Sequence, residues 1–150
     1  MKSSISGTLG KLAYVSDTLN KASDSLSEQI LEVESALQRY RLGVSAWVTI
    51  DSCDVEGPVN TTLTRMWFLG YGKCHGKWGL LISDSLDDIP GENPSFLREE
   101  PRDTKLAAVS KLPDLLKELL KKATEVATEA AAKADVTQEI AANLKQWKSE

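Results

Sequence analysis

The chain is poor in the residues that build metal-centred, covalent or disulfide-bonded sites. Its 150 residues include one histidine, His75, and two cysteines, Cys53 and Cys74. A structural zinc site needs three or four closely spaced cysteine and histidine ligands, and a disulfide framework needs more than two cysteines. The histidine falls in a predicted turn, where nothing holds it between a serine and a carboxylate. Because phosphate-binding and nucleophile-elbow motifs are also missing, we expect no metal, no cofactor and no enzymatic activity.

Long apolar runs and strongly basic segments are missing as well. No run approaches the length of about 18 apolar residues that a bilayer-spanning helix needs. The opening residues, MKSSISG, contain no apolar signal core. We therefore expect a cytoplasmic protein, bacterial or, if phage-encoded, in the infected host. The net charge is −4, and the middle of the chain is the acidic part, which argues against binding to duplex nucleic acid.

The strongest positive pattern lies in the first forty residues. Apolar side chains recur there in alternating steps of four and three, with Ser16 and Ser23 as the polar members of the series. This heptad spacing predicts one coiled-coil-like helix over residues 4–41, about 55 Å long. The apolar series has two candidate partners, the chain's own second long helix or another subunit, and the sequence leaves both open. The members are Ile5, Leu9, Leu12, Leu19, Leu26, Ile30, Val33, Leu37 and Tyr40.

Residues 43–84 change to a period of two, which predicts a three-stranded antiparallel meander. The expected strands are 44–50, 62–72 and 77–83, with turns over 51–60 and 72–76. The middle strand carries large apolar side chains on both faces, so both faces need cover. We expect the helices to cover one face and a second subunit or a ligand to meet the other.

The last third returns to helical spacing after an acidic loop with three prolines over residues 84–101. Such a loop is either functional or a disordered spacer. Helices are predicted over 103–148, with Asp103 and Thr104 as an N-cap region, a start or kink near Pro113, and a possible restart capped by Asp135. The chain is thus predicted to be a single α+β domain over residues 1–150, with a long C-terminal helical segment kinked near Pro113.

One candidate binding surface lies on the middle strand. Arg65, Trp67 and Tyr71 share a face there. An arginine among aromatic side chains needs an anionic partner, and a phosphate with a stacked ring would hold a nucleotide-like molecule. The alternative is that Arg65 pairs with a carboxylate of its own chain.

A second candidate anion site lies at the start of the C-terminal helices. Arg102, Asp103 and Lys105 stand where a helix N-terminus exposes free N–H groups. The alternative is that Arg102 simply pairs with Glu99 or Glu100. Together the two surfaces predict a ligand site made of Arg65, Trp67, Tyr71, Arg102, Asp103 and Lys105.

Four segments carry a resemblance to known proteins. With LNKASDSLSEQILEVESAL, LGVSAWV, LGYGKCHGKWGLLI and PRDTKLAAVSKLPDLLKEL, the chain resembles a family of small bacterial and phage α+β proteins of no assigned activity. More distantly, its layout is similar to phage anti-defence sponge proteins of the Thoeris-inhibiting type. That likeness implies an oligomer that sequesters a cyclic nucleotide or ADP-ribose-type signal without cleaving it. The residues it would assign to the clamp are Arg65, Trp67, Tyr71, Arg102 and Asp103.

These observations favour a non-catalytic, homo-oligomeric binding protein for a small anionic ligand. The alternative is a coiled-coil structural or adaptor protein that binds a protein partner through its heptad helices. The sheet would then be only a stabilising core.

Overall fold

The chain begins and ends with a long helix, and a small antiparallel sheet lies between them in sequence. The computed structural model describes residues 2–86 and 90–148. The α+β fold predicted from the sequence is confirmed, with its long terminal helices and its meander. The elements are α1 (Lys2–Tyr40), β1 (Ala46–Glu56), β2 (Thr62–Cys74), β3 (Lys77–Ser85), β4 (Ser95–Phe96), a 3-10 turn (Leu97–Glu99), α2 (Arg102–Val109) and α3 (Leu112–Lys148).

The predicted single rod of the first forty residues is present as α1. The helix ends at Tyr40 because Arg41 and Gly43 adopt left-handed backbone conformations, with φ of 51° and 64°. The Arg41 N–H donates to the Gln38 carbonyl at 3.2 Å and closes the last turn. Only the second half of the helix packs on the sheet, where Ile30 and Leu37 are buried.

The sheet has the strand order β1-β2-β3-β4, so the three-stranded prediction lacked one short edge strand. β1 also continues to Glu56 instead of ending at Ile50. A bulge between Thr49 and Asp51 shifts its register on β2. Polar composition predicted a turn over 51–60, but backbone pairing with β2 keeps the first part of that segment extended. The β2–β3 turn is formed by His75 and Gly76, both with positive φ.

The helices cover one face of the sheet, and the acidic segment covers part of the other. Core side chains on the helical face include Leu69, Tyr71 and Leu80. On the opposite face the Gly91 N–H donates to Ser83 Oγ at 3.1 Å, and that hydroxyl donates to the Glu92 carbonyl. Part of the cover expected from a second subunit or a ligand is therefore supplied by the chain itself. Of the predicted loop 84–101, residues 87–89 lie outside the described residues.

The C-terminal region confirms one prediction and differs from two others. Pro113 was predicted to start or to kink a helix, and the start is confirmed: it is the second residue of α3, which begins after a break at 110–111. Pro101 occupies the N-cap of α2, without a side-chain hydrogen bond, so Asp103 is inside the helix. The predicted restart at Asp135 is wrong, because α3 is unbroken to Lys148. The surrounding alanines have high helix propensity and need no new start.

Half of each long helix projects away from the sheet. Every residue in 4–22 and in 124–148 is exposed; we call these segments the N-arm and the C-arm. Ile5, Leu9 and Leu12 are 61%, 60% and 58% exposed. Of the two partners left open above, the chain's own second helix therefore does not cover the N-arm in the described structure.

Candidate functional site

Arg65, the centre of the predicted ligand site, is held by an acid of its own chain. Its Nε donates to Asp84 Oδ1 at 2.9 Å and its Nη2 to Asp84 Oδ2 at 2.5 Å. The guanidinium carbon also lies 5.0 Å from the centre of the Trp67 ring. The pairing raises the pKa of Arg65 and lowers the pKa of the Asp84 carboxyl through the same hydrogen bonds. The structure therefore contains the intramolecular pair that the sequence left as the alternative.

Trp67 and Asp103 line one cavity, but its charge has the wrong sign for an anion. The cavity has a volume of about 340 Å³ and is lined by the indole, by aliphatic side chains, and by the carboxylates of Asp51 and Asp103. Two carboxylates repel a phosphate unless cations outweigh them. The nearby Arg65 is already paired with Asp84.

The other two predicted residues at the start of α2, Arg102 and Lys105, lie toward α1 and not at this cavity. Lys105 Nζ donates to Ser27 Oγ on α1 at 3.0 Å. Arg102 lies at a groove between α1 and α2. Its suggested ion pair with a neighbouring acid is not among those of the described residues, and Glu100 instead accepts a hydrogen bond from Ser95. The structure therefore brings Arg65, Trp67 and Asp103 near one another, but it does not bring all six predicted residues into one site.

Tyr71 lies at the other end of the helical face, in a pocket that sequence reasoning missed. The end of α1 and the β2–β3 hairpin form this pocket, which has a volume of about 410 Å³. We call it the Arg41–Lys77 pocket. It is lined by Gln38, Arg41, Leu42, Gly43, Tyr71, Lys77 and Trp78.

An aromatic pair forms part of the wall of the Arg41–Lys77 pocket. The rings of Tyr71 and Trp78 are stacked, with centroids 5.6 Å apart. Gln38 Nε2 donates to the Trp78 carbonyl at 2.6 Å and ties the end of α1 to β3. Burial, with the nearby Glu34 carboxylate, raises the pKa of the Tyr71 phenol above its usual value of 10.0. At neutral pH the phenol is therefore protonated and able to donate a hydrogen bond.

The charge of the Arg41–Lys77 pocket is positive, although the chain carries a net charge of −4. Its lining includes two cationic side chains and, among the described residues, no carboxylate. The acid that acts on Tyr71 is Glu34, which is 3% exposed. Its Oε2 accepts the Leu80 N–H at 2.9 Å, and its Oε1 accepts Arg98 Nη1 at 2.6 Å. The negative charge of Glu34 is thus already balanced by an arginine.

Little in the sequence could have identified this pocket. Arg41 precedes a Leu-Gly helix stop and Lys77 follows a turn, so each reads as an ordinary surface cation at the end of an element. They come together because α1 ends beside the β2–β3 hairpin. Of the residues that line this pocket, Tyr71 is the one that the sequence had placed in a ligand site.

Comparison with known proteins adds no relative: no family model matches the chain, and no curated protein or solved structure matches it. None of the described helices has the length and apolar character to cross a membrane. Within residues 2–86 and 90–148, no cluster of three or more His, Cys, Asp or Glu side chains is placed to hold a metal ion.

Proposed function

We propose that the protein is a non-catalytic binding protein that holds a small anionic, nucleotide-like ligand in the Arg41–Lys77 pocket and works as a homo-oligomer. The observation that carries the ligand part is the combination of two cations with an aromatic wall in one pocket. Cyclic nucleotides and ADP-ribose-type molecules have the matching chemistry, because they join phosphate groups to flat bases.

The pocket offers a partner for each part of such a ligand. Arg41 and Lys77 supply charge-assisted donors for a phosphate, and the Trp78 indole supplies a surface for a base. The volume of about 410 Å³ falls in the range of about 300–1,000 Å³ common for small-molecule sites. The protonated Tyr71 phenol is a further donor.

The same lining supports binding rather than turnover. Among the described residues, the pocket contains no cysteine, histidine, serine or carboxylate that would act as a nucleophile or general base. A raised pKa also keeps the Tyr71 hydroxyl from ionising near neutral pH. We therefore expect a bound nucleotide to leave the protein unchanged.

The oligomeric part of the proposal is supported by the two arms. Contiguous exposed apolar positions on a projecting helix mark a surface for association. The same arms favour a second candidate function, a coiled-coil adaptor in which another protein covers them. The molar mass of the purified chain, measured by light scattering, distinguishes these two functions, because self-association is expected only for the homo-oligomer.

Thermal unfolding tests the ligand part. A ligand that binds the folded protein alone at one hundred times its Kd stabilises it by about 2.7 kcal/mol. We expect ADP-ribose or a cyclic nucleotide to raise the Tm of the wild type. Arg41→Gln and Lys77→Gln should each reduce this shift, whereas Arg39→Gln should retain it. Arg39→Gln is the control: it removes the same charge two residues before Arg41, and Arg39 lines a different surface.

Two results would reject the proposal. Tm values that stay flat for the wild type across the nucleotide panel, or that shift equally in all three variants, would remove the pocket from consideration. Chromatography of the recovered ligand tests the absence of catalysis, since conversion of the nucleotide during incubation would identify an enzyme.

A further inference from the structure

The N-arm exposes a regular series of apolar side chains along one face of its helix. Its exposed series runs through Ile5, Leu9, Leu12 and Leu19, with Ser16 inside it. Charged residues would lie beside this series if an oppositely charged partner were being selected. The positions that flank it are instead uncharged: Ser6, Thr8, Ala13, Val15, Asn20 and Ala22.

A groove lies at the base of the N-arm, between α1 and α2. It has a volume of about 230 Å³, and its lining includes Leu19, Ser23, Leu26 and Leu106. Leu106 is 54% exposed. Ser23 Oγ is buried, and it has no hydrogen-bond partner among the described residues. An aliphatic side chain that entered this groove would contact its three leucines and continue the apolar series of the arm.

We propose that the N-arm pairs antiparallel with the N-arm of a second copy, and that the tip of each arm fills the groove at the base of the other. In this register Ile5 lies opposite Ser23, Leu9 opposite Leu19, and Leu12 opposite Ser16. Each serine then meets a large aliphatic side chain. A parallel pair would stack Ser16 on Ser16 and Ser23 on Ser23, leaving two layers without an apolar side chain.

The length of the arm agrees with this register. Ile5 and Ser23 are separated by 18 positions, about 27 Å along a helix. When the tip of one copy lies at the groove of the other, symmetry places the second tip at the first groove. The same contacts are made twice, and the interface closes with two copies.

The C-arm is a poorer partner for this series. Its own heptad positions include Lys133 and Thr137 in the middle of the arm, and its large apolar side chains Ile140, Leu144 and Trp147 lie toward the end. Of the two projecting arms in the described part of the chain, only the N-arm offers a matching apolar series without a charged member. The inference rests on the oligomeric part of the proposed function and is independent of the ligand part.

Disulfide trapping tests the register in the full chain, in a Cys53→Ser background that removes the exposed cysteine. Antiparallel pairing brings Leu9 of one copy to Leu19 of the other, while two Leu9 residues lie about 15 Å apart along the axis. A Leu9→Cys copy mixed with a Leu19→Cys copy should therefore form a mixed disulfide dimer on mild oxidation. Neither variant alone should form a disulfide dimer.

The outcomes separate this inference from the proposed function. A disulfide between two Leu9→Cys copies, or no disulfide in any mixture of an associated sample, overturns the antiparallel register and leaves the oligomer intact. A monomeric mass for the wild type at all concentrations overturns both the register and the oligomer, while the nucleotide thermal shift still tests the ligand part.

A second measurement does not depend on cysteine chemistry. Leu12→Asp should raise the dissociation constant of the dimer at least 100-fold. The matched control Thr18→Asp places the same charge outside the apolar series and should change it less than threefold. Both positions are exposed in the single chain, so circular dichroism should report folded protein for both. Equal effects of the two variants would overturn the proposed interface.

Discussion

Replacement of Glu34 by alanine should cost the fold about 2–4 kcal/mol, because two partners lose their acceptor at once. The Leu80 N–H lies in the core and would be left without its 2.9 Å bond, which costs about 1–3 kcal/mol. Arg98 would lose its carboxylate, but its side chain is 31% exposed. Water therefore replaces part of that interaction, and its loss adds only about 1 kcal/mol.

Urea unfolding followed by tryptophan fluorescence measures this loss, at one protein concentration so that self-association contributes equally. Glu34→Gln retains a side-chain carbonyl for the Leu80 N–H and should lose about half as much stability as Glu34→Ala. Glu32→Ala, at an exposed site on the same helix, should stay within about 0.5 kcal/mol of the wild type. The reasoning is refuted if Glu34→Ala also stays within that limit, or if the glutamine variant is as unstable as the alanine variant.

Three further predictions concern the sheet and the C-arm. Asp84→Asn should destabilise the protein by at most about 1 kcal/mol at pH 7, because the pair with Arg65 is partly exposed. Since the folded-state pKa of Asp84 is lowered from 3.8, this difference in unfolding free energy should be full above that value and vanish as the pH falls through the lowered pKa. Gly70→Ala should cost about 1–3 kcal/mol in urea unfolding, because its methyl group would overlap the Trp47 indole; wild-type stability would show that the ring moves freely. Deletion of residues 124–148, all exposed, should leave the urea midpoint nearly unchanged, and a large fall would mean that the C-arm packs on something.

The sequence predicted the parts of the fold that depend on local repetition. The helix of α1 and the strand of β2 were predicted correctly, because the spacing of apolar side chains distinguishes a helix from a strand. The same spacing did not show that the first half of the α1 series is exposed. The extension of β1 through Asp51 to Glu56 was not predictable in this way. Its polar residues favour a turn by composition, and only pairing with β2 keeps them extended. The short strand at Ser95 likewise exists because β3 offers a free edge.

The candidate site was less predictable, because it depends on where the ends of elements meet. The sequence predicted that Arg65 needs an anionic partner and placed it in a ligand site, with an acid of its own chain as the alternative. The structure has that alternative, and the acid, Asp84, is 19 residues away in sequence. Arg41 and Lys77 approach one another only after α1 has docked on the sheet through Ile30. Distances of this kind follow from tertiary packing and leave no mark on local periodicity.

The bulge in β1 has a consequence for whether the edge of the sheet can pair with another strand. β1 is an outer strand of the sheet, and eleven residues of extended backbone would normally invite the strand of another molecule to join it. The bulge after Thr49 interrupts the regular row of backbone hydrogen-bonding groups along this edge. Beyond it, Asp51, Asp54 and Glu56 would repel the same acids of an identical edge. Growth of an endless ribbon by pairing at this edge is thereby discouraged.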